Sequence, residues 1–214
     1  VGSEMCIRDR LMAALTSKVS NPRYAYIAPT FKQAKSIAWD YIKQFTHKIP
    51  GVKFNETELR VDLPNKARIT LLGSENCDGL RGIYLDGCVI DEYANVNDRL
   101  FPEIIRPALS DRKGFCIFIG TPQGMNNNFY ELFQHAKGAD DWFYFKAKAS
   151  ETKVVDQDEL TKAKEVMGEN KFKQEFECDW IANIEGSIYG KTLAKMENQR
   201  QITRVPYDPS LPVN

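Results

Sequence analysis

Gly87-Cys88-Val89-Ile90-Asp91-Glu92-Tyr93-Ala94 is an apolar run that ends in two adjacent carboxylates, and a second run, Phe115-Cys116-Ile117-Phe118-Ile119-Gly120, closes on Thr121-Pro122. Short continuous apolar runs suit the buried strands of a parallel sheet, where ligands collect at the carboxyl ends of the strands. Asp91-Glu92 and Thr121 occupy those ends. The first carboxylate of such a pair is suited to hold Mg²⁺ through its water shell, and the second to orient and deprotonate the water that attacks a γ-phosphate. The pair of strands therefore reads as the hydrolytic end of an ATP motor. The first string alone also suits a buried strand meeting a helix whose first turn favours acids; the second strand and its Gly-Thr-Pro end weigh against that.

Outward from this centre the elements alternate. Upstream, Tyr24 to Ala28 predicts a strand stopped by Pro29-Thr30. Phe31 to Lys48 predicts a helix with Phe31, Ala34, Ala38, Tyr41, Ile42 and Phe45 on one face, ended by Pro50-Gly51. Val52 to Asn55 and Glu58 to Leu63 read as a hairpin, Ala67 to Leu72 as a further strand, and Gly73 to Gly82 as a loop. Downstream come a helix over Leu100 to Leu109, a Gly/Asn loop at Gly124 to Asn128, a helix near Phe129 to Ala136 and a strand over Trp142 to Ala147. This is the pattern of an α/β core with a mostly parallel sheet wrapped by helices. The pattern then changes: Asp156 to Met167 and Lys171 to Phe176 read as helices with no strand between them, a small helical C-terminal appendage. Pro206 to Pro212 reads as a linker.

Composition bounds the alternatives. The chain has 214 residues, 43% of them hydrophobic, enough for a sizeable core. No apolar run approaches the roughly 20 residues of a membrane span, and the N-terminus lacks the sustained apolar segment of a secretory signal. The five cysteines, Cys6, Cys77, Cys88, Cys116 and Cys178, are odd in number and show no C-x-x-C spacing. They read as reduced thiols in a cytoplasmic setting. Net charge is zero, but residues 1–68 carry 12 Lys and Arg against 6 Asp and Glu, leaving 17 against 23 downstream. The basic half hints at polyanion contact, and solvated helix faces account for it equally well.

A motor of this kind needs backbone N–H groups and a Lys to cradle the β- and γ-phosphates. The sequence contains no G-x-x-x-x-G-K-[ST]. Its nearest string, Gly186-Ser187-Ile188-Tyr189-Gly190-Lys191-Thr192, has only three residues between its glycines and lies downstream of Asp91, and a turn before a helix explains it. Residues 1–214 by themselves are expected to hydrolyse ATP poorly. Robust Mg²⁺-dependent turnover by the purified chain would show that another loop, around Gly190, cradles phosphate.

Taken together, Tyr24-Ala25-Tyr26-Ile27-Ala28-Pro29-Thr30, Gln33-Ala34, Asp78-Gly79-Leu80-Arg81-Gly82, Val89-Ile90-Asp91-Glu92-Tyr93-Ala94, Ile119-Gly120-Thr121-Pro122 and Phe172-Lys173-Gln174-Glu175-Phe176-Glu177-Cys178-Asp179-Trp180 resemble the large subunit of tailed-phage DNA-packaging terminases. The resemblance runs from about Tyr24 to the C-terminus. It implies a three-layer core like that of P-loop NTPases. In that family a phosphate-loop strand and helix precede the first motif, and a nuclease domain follows the last. Residues 1–10 resemble a leader seen on assembled environmental reading frames and are expected to be non-native; by the family pattern 11–150 are expected to be an ATPase core lacking its phosphate loop, 151–200 a lid-like helical subdomain, and 201–214 a linker towards a nuclease domain.

By resemblance, Asp91 is the Mg²⁺-side acid, Glu92 the catalytic glutamate, and Thr121 the residue that couples the γ-phosphate state to motion. Arg81 matches the position from which the family offers an arginine finger to a neighbouring subunit; a surface loop cation is the plain alternative. Asn126 to Asn128 either touch DNA or make the turn, and asparagine's ease in turns favours the latter. Pro29-Thr30 resembles the strand-end motif of helicase-like motors, or starts a helix at Thr30. His47 and His135 receive no role. The resemblance further implies ATP and Mg²⁺ as cofactors. Its implied partners are double-stranded viral DNA, a portal protein, a terminase small subunit and neighbouring large subunits in a ring, with no membrane, in the host cytoplasm during virion assembly. Two other classes fit parts of the chain. A superfamily 2 helicase shares the Ala-Pro-Thr and Asp-Glu strand ends but adds a second motor domain. A DNA- or portal-binding module would keep the fold without ATP chemistry.

Overall fold

The computed structural model describes residues 7, 11–181, 192, 193, 195, 196 and 199–201. The expected leader apart from Ile7, the string from Gly186 to Lys191 and the linker at Pro206 to Pro212 lie outside the described residues. The chain divides into two compact units, Val1–Pro122 with Asn126–Tyr144, and Gln123–Met125 with Phe145–Asn214.

The first unit is built on one sheet. Strand β1 (Arg23–Ala28) runs parallel to β4 (Arg68–Gly73) on one side and to β5 (Gly87–Ile90) on the other, and β6 (Phe115–Phe118) lies parallel beyond β5. A hairpin of β2 (Lys53–Asn55) and β3 (Arg60–Asp62) joins antiparallel to β4, giving the order β2-β3-β4-β1-β5-β6. Tyr24 to Ala28 of β1 and the whole of β5 are apolar and buried because both faces of the sheet are covered there. Tyr24, Tyr26, Ala28, Ile69, Leu71 and Val89 point into one cluster with Ala34, Ala38, Trp39 and Ile42. Ala25, Ile27, Cys88 and Ile90 point into the other with Leu100, Ile104, Ile105 and Leu109. Two helical layers thus sandwich the sheet, and each fully buried Leu or Ile contributes about 2 kcal/mol.

The helix after β1 starts at Thr30, whose hydroxyl accepts from the Gln33 amide while the Gln33 side chain accepts from the Thr30 amide, a capping box. It runs through Phe31–Ala34, a wide π turn at Lys35–Trp39, and Asp40–Thr46. The extra residue in that turn rotates the downstream face. Regular 3.6-residue spacing places Tyr41 inward, yet it is 38% exposed and Trp39 is buried instead; Phe31, which precedes the turn, is also 38% exposed. The Trp39 indole N–H donates to Glu56 at 2.6 Å, which satisfies its polar edge. A second π turn, Leu100–Ile105, opens the helix continued by Arg106–Ser110.

Where a loop was expected after β4, short 3-10 turns span Ser74–Leu80. Glu75 reaches back to accept from the Phe31 N–H at 2.7 Å, and Ser74, 2% exposed, donates to the Pro29 carbonyl at 2.9 Å. These bonds fasten the ends of β1 and β4 together. A Cβ on Gly73 would run into the Glu75 carboxylate and the Phe31 backbone N. Gly73→Ala is therefore expected to cost about 3 kcal/mol, because backbone on one side leaves no cheap relief. Urea denaturation of the chain checks this, and a loss too small to measure would refute the tight approach.

The predicted strand at Trp142 to Ala147 is a correction: the segment is irregular. Its aromatic residues have strand propensity, but a strand exists only where a neighbour pairs with it. In the second unit, the helices Ala149–Thr152, Gln157–Met167 and Glu169–Glu177 follow one another without a strand. Asp156 caps the second of them by accepting from Asp158 N at 2.9 Å. No helix among the described residues is long and apolar enough to cross a membrane.

Candidate functional site

The parallel pairing brings the carboxyl ends of β5 and β6 together. Beyond the strands proper the ladder continues, with Ile119 N donating to Ile90 O and Tyr93 N to Ile119 O, each at 3.0 Å. Asp91 sits at this end with 3% of its surface exposed. One of its carboxylate oxygens accepts from the Glu92 amide at 2.9 Å, and the other accepts from the Tyr26 hydroxyl. Its own N–H donates to Ile27 O at 2.8 Å, so β1 fixes both its backbone and its side chain.

Glu92 adopts a left-handed conformation, φ 50° and ψ 44°. That costs a non-glycine residue about 1 kcal/mol and persists only where neighbours enforce it. Here the next residue supplies the anchor. Tyr93 is buried against Phe118 and Phe129, with ring centroids 4.8 and 5.9 Å away, and burial pushes its phenol above its ordinary pKa. Gly120 closes the other side: a Cβ there would stand 3.1 Å from Tyr93 N and 3.4 Å from Glu92 Cα. Thr121 is the next residue, half-buried. The structure thus brings Asp91, Glu92 and the Gly120-Thr121 corner to one edge of the sheet.

Arg81 lies on the loop before β5, and its side chain is 52% exposed. It pairs with Asp78 at 3.2 Å and Glu103 at 2.9 Å, and Arg99 pairs with the same two carboxylates at 3.2 and 3.1 Å. The Arg81 hydrogen bond, then Arg99, holds the Asp78 carboxyl below its ordinary pKa; Arg99 first does the same for Glu103. Both acids are therefore ionised at neutral pH. Among the described residues no cluster of three or more His, Cys, Asp or Glu could hold a metal ion. A single buried carboxylate at a strand end fits a Mg²⁺ that arrives with phosphates and retains its water, since that ion takes one or two protein carboxylates.

No protein-family model matches the sequence. The terminase large subunit of Escherichia phage T5 is 26% identical over 177 residues, which cover 79% of this chain and 39% of the T5 protein. The chain thus spans about two fifths of that relative's length. Among solved structures, the large terminase ATPase domain of Thermus phage P74-26 superposes with a TM-score of 0.70 at 21% identity, covering 84% of each chain. The chain has the fold of a large-terminase ATPase domain. The large terminase of another thermophilic bacteriophage, solved in complex with ADP, superposes with a TM-score of 0.68 at 13% identity over 82% of this chain and 44% of that one.

Within this terminase-type domain, two remaining motifs act in the fold. The Asn127 side chain accepts from Phe129 N at 3.0 Å and Tyr130 N at 3.1 Å, capping the helix Asn128–Gly138. Thr30 likewise caps its helix. Sequence reasoning missed Tyr26, because a tyrosine in an apolar strand looks like core until a carboxylate is found opposite it. The signal lies in the tertiary register: Tyr26 pairs with Val89, two residues short of Asp91 and on the same face of the sheet. Tyr26→Phe keeps the ring and removes a hydrogen bond to a charged group, so the terminase-type domain is expected to lose about 2 kcal/mol of stability. Denaturation of the purified chain measures it, and an unchanged midpoint would remove Tyr26 from the site.

Proposed function

We propose that this chain is the ATPase part of a terminase large subunit, which hydrolyses ATP to drive viral DNA into a procapsid. The observation that carries the reading is the acidic pair at the end of a fully buried parallel strand, Asp91 locked by Tyr26 and Glu92 held left-handed against the Gly120 corner. The relatives support it: the T5 protein is a terminase large subunit, and one of the large terminases that share the fold was solved with ADP. In this reading Asp91 holds Mg²⁺ through water, and the ion supplies charge neutralisation for the phosphates. Glu92 orients and deprotonates the attacking water. Thr121, directly after the glycine packed on Glu92, relays the state of the γ-phosphate. Arg81 reaches a neighbouring subunit's nucleotide as a finger that offsets charge in the transition state.

The proposed surroundings follow from the same reading: double-stranded DNA, a portal protein, a small subunit and a ring of large subunits in the host cytoplasm. The test is ATP hydrolysis by the complete large subunit that carries this domain, with and without double-stranded DNA. DNA-stimulated turnover that stops when EDTA removes Mg²⁺ is the expected result. No turnover with Mg²⁺, DNA and portal all present would overturn the reading.

A further inference from the structure

We propose that Arg99 is a positioning residue for Arg81: it holds Asp78 and Glu103, so that the Arg81 guanidinium is released to a nucleotide phosphate instead of being kept by its own chain's carboxylates. This rests on the finger role proposed for Arg81. The two arginines share the acids unequally. Arg99 engages each through two donors, Nε and Nη2 on Glu103 at 3.1 Å each, and Nη1 and Nη2 on Asp78 at 3.4 and 3.2 Å. Arg81 gives each acid one hydrogen bond, Nε to Asp78 at 3.2 Å and Nη2 to Glu103 at 2.9 Å. Two-donor forks are the geometry in which guanidinium binds carboxylate best, so Arg99 is the stronger holder and Arg81 the easier to detach.

The backbone under Arg99 is fixed to the same loop that carries Arg81. Asn97 Oδ1 accepts from Arg99 N at 3.0 Å, and Asn97 N donates to the Ser74 hydroxyl at 3.2 Å. Charge counting gives the consequence. The quartet is neutral when all four groups are paired. If Arg81 leaves, Arg99 still balances one of the two acids; without Arg99, the departure would expose two carboxylates towards an approaching triphosphate. Arg99 thus lowers the cost of releasing Arg81.

The test compares kcat and KM for ATP in the complete, assembled large subunit. Arg99→Gln is expected to lower kcat about tenfold at unchanged KM, as for an arginine released a tenth as often. Adding Asp78→Asn and Glu103→Gln to Arg99→Gln removes the acids that hold Arg81, and kcat should return to within about threefold of wild type. A staple that merely stiffened the loop would not recover when its last charged pairs are deleted. If Arg99→Gln fails to fold, Arg99→Lys replaces it; Lys keeps the charge without the fork, and its lowered kcat should recover in the same way. Wild-type kcat in the single variant, or a triple variant as slow as the single, would overturn the proposal. A wild-type protein that hydrolyses no ATP would instead sink the ATPase reading beneath it.

Discussion

Glu92→Gln in a large subunit carrying this domain is expected to lower ATP hydrolysis by roughly 10²-fold or more while ATP still binds, the scale of a lost general base. Glutamine keeps the length and hydrogen bonding of the side chain. The backbone geometry should survive, because the left-handed turn at residue 92 is imposed from outside it, by the buried Tyr93 ring and the Gly120 approach. Single-turnover hydrolysis separated from nucleotide binding by filter or fluorescence assay makes the distinction. Equal loss of binding and turnover would mean that residue 92 shapes the pocket and does not act on water.

Arg81→Ala is expected to cost more, about 10³-fold where a guanidinium acts on the transferring phosphoryl group. Its signature is recovery on mixing. If the finger serves a neighbouring subunit, Arg81→Ala protein mixed with Glu92→Gln protein regains hydrolysis, since some interfaces then join an intact glutamate to an intact arginine. Alanine also releases Asp78 and Glu103, which Arg99 still holds with two donors each, so the loop should keep its shape. Thermal unfolding of the variant checks that point. Full DNA-coupled activity of Arg81→Ala alone would return Arg81 to an ordinary surface cation.

The two variants probe residues whose settings differ in kind. Glu92 stands on rigid ground, at the end of a strand with every residue buried. Arg81 stands just after the 3-10 turns, and its half-exposed side chain is held by surface ion pairs, which contribute little and exchange readily. A base that must meet water at a fixed angle suits the first setting, and a side chain that must change partners suits the second.

The sequence by itself determined the layered α/β core, because strands covered on both faces must be apolar throughout, and the runs at 24–28 and 87–90 carry that mark; the run at 115–118 is apolar too but forms the sheet edge, with Phe115 42% exposed. It also determined where the acids stand, since a carboxylate directly after such a run has to lie at the strand's carboxyl end. Thr30 and Asn127 were legible as caps or turns from their residue type alone. Tertiary structure decided the rest. That β1 sits between β4 and β5 depends on distant pairings such as Tyr24 with Ile69 and Gly87, and they bring the Tyr26 hydroxyl to Asp91, 65 residues away in the chain. The π turn at Lys35–Trp39 replaced Tyr41 with Trp39 in the core because Glu56, from the hairpin, was there to receive the indole N–H. Trp142 to Ala147 carried strand propensity and gained no pairing neighbour. The Arg81 pairs formed because folding placed Glu103, 22 residues away, beside the loop that carries Asp78, while the loop's other acid, Glu75, went to the Phe31 N–H. Local periodicity reports which face of an element is apolar; it is silent on which distant polar group that face will meet.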